Sequence, residues 1–82
     1  MHYVYLLRSL ANPAQTYTGS TSDLKQRLRQ HNAGQSTHTT KYKPWQLTLY
    51  FAFSDRTAAE RFERYLKSGS GRAFANRHFH SP

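Results

Sequence analysis

Tyr3-Val4-Tyr5-Leu6-Leu7 and, after a turn, Tyr17-Thr18-Gly19 are the stretches whose reading decides the fold. The first run is aromatic and branched, the composition of a strand. Alternation puts Tyr3, Tyr5 and Leu7 on one face and Val4 and Leu6 on the other. Asn12-Pro13 signals a turn. Gln15-Thr16-Tyr17-Thr18 then reads as the returning strand of a hairpin with a long loop. Gly19 either turns the backbone or lets a second backbone approach closely. On the hairpin alone, two tyrosines packing across a sheet is the ordinary interpretation.

Downstream, Thr21-Ser22-Asp23 reads as a helix start, a hydroxyl cap followed by an acid near the positive end of the dipole. The helix from Asp23 to about Asn32 carries Leu24 and Leu28 at i, i+4 and is ended by Asn32-Ala33-Gly34. With the two leucines centring the buried face, His31 lies about 40° and Arg27 about 80° from that centre, on one flank. Residues 35–44 form a polar loop without periodicity, either mobile or laid over a nucleic-acid backbone. Trp45 to Phe51 reads as a central or third strand, opened by Pro44. Ser54-Asp55 caps a second helix, Arg56 to Lys67, with a stripe of Ala58, Ala59, Phe62, Tyr65 and Leu66. The tail mixes basic and aromatic residues and suits a short third helix packing Phe74 and Phe79.

The 82 residues allow one domain, 1–82, with a small core that depends on aromatics. No apolar run is long enough to span a membrane, and no signal-peptide core is present, so cytoplasmic is the default location. The absence of cysteine excludes a disulfide-linked partner and thiolate-bound zinc. Twelve Lys and Arg against four acids give a net charge of +8, which points to a polyanion, usually nucleic acid. Neither helix has the pattern of an interfacial membrane anchor.

The four acids narrow the chemistry further. Asp23 and Asp55 belong to helix N-termini. Glu60 lies about 160° from the centre of its helix's apolar stripe and faces solvent, with Arg56 and Arg64 as i±4 partners. Glu63 lies about 100° from that centre, at the stripe's edge. It can pair with Lys67 on the surface or face a site beside the core. A two-metal nuclease needs clustered carboxylates, which this chain lacks. One hydrated Mg²⁺ or Mn²⁺ on a single carboxylate is within its means. His78-x-His80 is a weak basis for zinc.

The chain resembles the GIY-YIG nuclease domain, most closely its small stand-alone bacterial members. Tyr3-Val4-Tyr5 stands where the family has Gly-Ile-Tyr, and Tyr17-Thr18-Gly19 where it has Tyr-Ile-Gly. The likeness continues through Arg27, His31, Pro44-Trp45, Glu63 and Leu66-Lys67-Ser68-Gly69. It implies that Tyr5 activates the attacking water or attacks itself, and that Tyr17 orders the nucleophile. Arg27 would bind the scissile phosphate, His31 would help deprotonate the phenol, and Glu63 would hold the metal. Asn76 is a loose counterpart of a late asparagine in the family. A phenol becomes a useful base near neutral pH only with cationic neighbours, a part Arg27 and His31 are expected to play. Arg8, Lys41, Lys43 and Arg72 are expected to contact nucleic-acid phosphates.

The sequence therefore predicts an α+β domain. Its small, mainly antiparallel three-stranded sheet spans residues about 2–8, 15–19 and 46–52, flanked by two or three helices. The expected activity is a DNA endonuclease dependent on Mg²⁺ or Mn²⁺. Single-stranded or locally unpaired DNA is its expected substrate, because exposed cations and aromatics hold flexible strands. The oligomeric state stays open. A non-catalytic basic nucleic-acid-binding module, or a small structural protein bound to RNA, is the alternative.

Overall fold

A computed structural model describes residues 1–79. The elements run β1 (His2–Ser9), β2 (Thr16–Thr21), α1 (Leu24–Asn32), β3 (Trp45–Phe53), α2 (Arg56–Lys67) and α3 (Gly69–His78). The sheet has the order β2-β1-β3, with both neighbours antiparallel to β1. The α+β fold expected from the sequence is the fold observed.

Burial on both faces explains the composition of β1. Val4, Tyr5, Leu6 and Leu7 are all buried, as a central strand between two layers requires. Val4 and Leu6 pack with Ala59, Leu66 and Ala75 beneath α2 and α3, joined by Leu49, Phe51, Phe53, Phe62 and Phe79. Tyr5, Leu7 and Trp45 face the other way, against Tyr17, Leu24, Leu28, Tyr42 and Leu47. The domain is thus α1, sheet, then α2 with α3. The run from Trp45 forms an edge strand rather than a central one. Its register shifts between Leu6 and Leu7, where Leu6 faces Leu49 and Leu7 faces Leu47. Thr48 is the extra residue, and its hydroxyl donates to the Leu6 carbonyl.

Each helix is started by its own cap. Asp23 itself caps α1, its carboxylate accepting from the Gln26 amide at 3.1 Å, so Thr21 and Ser22 lie outside the cap. Gly34 follows the C-terminus at φ 80°, which favours glycine. Asp55 caps α2 through the Thr57 amide. Ser68 ends α2 and caps α3 by accepting from the Gly71 amide. Of the tail aromatics Phe79 packs on the core, whereas Phe74 lies largely outside it against Tyr65, His78 and Phe79. Gly71 and Ala75 are the residues that α3 buries.

Gly71 makes this docking possible. A Cβ there would run into the Tyr65 carbonyl, backbone that cannot swing aside, whereas one at Gly69 would meet nothing within 4 Å. Gly71→Ala is therefore expected to cost about 1–3 kcal/mol in urea unfolding, while Gly69→Ala stays near the parent. Equal midpoints for the two variants would contradict this account of the α2–α3 joint.

Candidate active site

Tyr5 faces Gly19 across the β1–β2 ladder. A Cβ on Gly19 would stand 2.5 Å from the Tyr5 hydroxyl and 3.0 Å from the Tyr17 ring. Position 19 thus admits a side chain from the neighbouring strand; its φ is not positive, and it makes no turn. Through this notch the Tyr5 hydroxyl reaches His31 Nε2 at 2.8 Å. Tyr17 packs on the same group, 5.1 Å from the His31 ring and 6.4 Å from the Tyr5 ring, centroid to centroid.

Leu24 and Leu28 anchor α1 on the sheet, and the flank they define carries Arg27 and His31 inward. His31 is 0% exposed. The Arg27 guanidinium lies beside the Tyr5 phenol and favours its ionised form, and it donates to Gln30 Oε1 at 3.0 Å. Burial holds the Tyr5 phenol above its ordinary range, the charges of Tyr17 and Glu63 push the same way, and Arg27 opposes them. Burial, and then the Arg27 charge, lowers His31 from 6.5 to about 4. At neutral pH the imidazole is therefore uncharged. This corrects the expectation of two cations beside the phenol. Arg27 is the cation, and His31 is a neutral ring that can accept a proton.

The far side of β2 carries the carboxylate. Ser20, on the opposite face from Gly19, donates to Glu63 Oε1 at 2.8 Å. Lys67 Nζ lies 2.9 Å from Glu63 Oε2 and 5.6 Å from the centre of the Tyr17 ring. The Glu63 side chain is 20% exposed; that of Glu60 is 42% exposed and pairs with Arg56 at 3.2 Å. The helix-face argument therefore holds, and the surface pair with Lys67 is present as well. Beside this group opens a cleft of about 510 Å³ lined by Thr16, Tyr17, Thr18, Lys67, Arg72 and Asn76.

The structure thus gathers Tyr5, Tyr17, Arg27 and His31 into one cluster and sets Glu63 just across the sheet edge. Arg72 and Asn76 stand on the cleft wall. Arg8 lies near the far end of β1, opposite Thr16 and Gln46. Lys41 and Lys43 project from the 35–44 loop, Lys41 with its Nζ 5.4 Å above the Tyr42 ring. His80, and with it the His78-x-His80 pair, lies outside the described residues. Among the described residues no three His, Cys, Asp or Glu side chains form a metal cage.

Two contributors escaped the sequence reading. Ser20 could have been found from strand alternation, which puts it on the face of β2 turned toward α2. Thr39 carried no such signal. The polar loop that holds it is folded, with a 3₁₀ turn at Thr40–Tyr42 and with Ser36 and Thr39 buried. Thr39 Oγ1 lies 2.7 Å from His31 Nδ1, and the Thr39 carbonyl accepts from Trp45 Nε1 at 2.8 Å.

Residues 1–77 match the family model described as the GIY-YIG catalytic domain. A structure-specific endonuclease subunit SLX1 from Candida dubliniensis is 40% identical over 95% of this chain, which spans 28% of that relative's length. A UPF0213 protein of Haloquadratum walsbyi is 38% identical over 82% of the chain and 74% of its own length. The solution NMR structure of a UPF0213 protein from Bacillus halodurans superposes with a TM-score of 0.56 at 28% identity. That match covers 99% of this chain and 87% of the other.

Because His31 is held neutral, acid should weaken the fold. The unfolded chain takes up the proton near pH 6.5 and the folded chain only near pH 4. The stabilisation is complete above about pH 6.5 and is lost as pH falls toward 4, at up to about 1.36 kcal/mol per unit. Urea unfolding across this window should show a shallower decline for His31→Gln than for the parent. Parallel declines would contradict a neutral buried imidazole.

Proposed function

The chain belongs to the GIY-YIG catalytic domain family, and on that footing we propose that it is a nuclease hydrolysing DNA phosphodiesters with a divalent cation. The observation that carries this reading is the Tyr5 phenol held between the His31 imidazole and the Arg27 guanidinium, with Glu63 across the sheet edge. Burial keeps phenol and imidazole neutral in the free protein. A bound phosphodiester brings negative charge that offsets Arg27, and this lowers the cost of charging the ring. The phenol passes its proton to His31 Nε2 as it takes one from water ordered beside Tyr17, so that the charge that builds is on the imidazolium. The water oxygen bonds to phosphorus as the bond to the leaving oxygen breaks; solvent protonates that oxygen. Arg27 neutralises the charge that builds on phosphorus.

The donor set suits a hydrated cation and not a protein cage. Glu63 is a partly buried carboxylate that keeps acceptor capacity beyond its contacts with Ser20 and Lys67. It would hold Mg²⁺ or Mn²⁺ by one ligand, with water and substrate phosphate as the others, and Asn76 nearby on the cleft wall. When bound, the cation would supply charge stabilisation to the phosphate oxygens. Arg72 on the cleft wall, Arg8 near the end of β1, and Lys41 and Lys43 on the 35–44 loop would hold flanking phosphates. The substrate would be single-stranded or locally unpaired DNA, in keeping with the relatives named structure-specific endonuclease subunits.

Labelled single-strand, duplex and flap DNA, incubated with Mg²⁺, Mn²⁺ or EDTA, test the proposal. Cutting is expected with either metal, faster on single-stranded and flap DNA, and absent in EDTA. Glu63→Ala should abolish cutting and Glu60→Ala should spare it. Undiminished cutting in EDTA, or equal loss for both folded variants, would sink the one-carboxylate mechanism. DNA bound and never cut would leave the non-catalytic alternative.

A further inference from the structure

The 35–44 loop sends one side chain into the cluster from outside the helices and strands that build it. Thr39 is 0% exposed. Its amide donates to the Ser36 carbonyl at 3.1 Å, and its own carbonyl accepts from Trp45 Nε1 at 2.8 Å. The loop is thereby tied to the start of β3, and Thr39 Oγ1 is set 2.7 Å from His31 Nδ1.

Two proton arrangements fit the row Tyr5, His31, Thr39. In one, the Tyr5 hydroxyl donates to Nε2, Nδ1–H donates to Thr39 Oγ1, and the threonine proton points to the Ser36 carbonyl, 3.4 Å away. In the other, every donor reverses and Nε2–H points at Tyr5. The surroundings favour the first. Arg27, which can only donate, stands beside the phenol and offers its proton no acceptor, so a second donor at Nε2 would leave that proton without a partner among these groups. The Ser36 carbonyl can only accept, and the Thr40 hydroxyl has a separate acceptor in the Gly34 carbonyl at 2.9 Å.

We propose that Thr39 is a positioning residue that fixes His31 as the Nδ1–H tautomer, leaving Nε2 as the acceptor for the Tyr5 proton. When that proton arrives, the imidazolium already has its Nδ1–H on Thr39 oxygen, and no ring flip or tautomer exchange is needed. The catalytic half of this proposal rests on the nuclease reading above; the tautomer does not.

Two readouts therefore separate the claims. Nitrogen-15 NMR of the His31 ring near pH 7 should show the proton on Nδ1 in the parent and in Thr39→Ser. In Thr39→Val and Thr39→Ala it should move toward Nε2. DNA cutting by Val and Ala variants should fall roughly tenfold or more with DNA affinity retained, and Ser should restore it. A parental ring protonated on Nε2 overturns the proposal without any variant. So does parental cutting by folded Val and Ala variants when Tyr5→Phe is dead. If Tyr5→Phe cuts like the parent, the catalytic reading fails, and the NMR result alone decides the role of Thr39.

Discussion

Everything in the candidate site depends on a side chain that is missing. β2 is an edge strand one residue wide, with Tyr17 and α1 on one side and Ser20, Glu63 and Lys67 on the other. Only because position 19 has no Cβ can the Tyr5 ring lie across that strand and bring its hydroxyl to His31. The phenol then stands close enough to Glu63 for the carboxylate to disfavour its ionisation. A phenol and a carboxylate carried on opposite faces of a sheet would ordinarily be separated by its thickness. Here the notch brings them to a common edge.

Burial sets the electrostatics of that edge. The imidazole and the phenol are neutral for the same reason, the cost of charge away from water. Arg27 lowers both the phenol and the imidazole, so it favours phenolate and disfavours imidazolium. The proton transfer is therefore poorly driven in the free protein. In the proposed reaction a bound phosphodiester would offset Arg27 and lower the cost of the imidazolium, which would tie the chemistry to substrate.

The fold was largely readable because its elements carry strong periodic signals. The strand alternation of Tyr3 to Leu7, the Leu24/Leu28 pair and the stripe of α2 each named the correct buried face, although Tyr65 of that stripe is exposed. The placement of Arg27 and His31 on one flank, and of Glu63 above Glu60 in burial, followed from helix geometry alone. The charge state of His31 did not, because helix angle says that a residue is near the core, not how completely water is excluded from it. Thr39 was hidden in a run of small polar residues with no period, where burial comes from tertiary contacts with His31 and Trp45. Gly19 was noted as a special position for its backbone, whereas the structure requires it for the space beside it.

Gly19→Ala tests this dependence most directly, because it adds one methyl group and removes no functional side chain. Single-turnover cutting of labelled DNA, measured beside DNA affinity and urea stability, gives the answer. The account predicts a fold that survives, affinity close to the parent and cutting reduced by roughly a hundredfold, since the Tyr5 hydroxyl is pushed away from His31. A folded Gly19→Ala protein that binds and cuts DNA at the parental rate would contradict it.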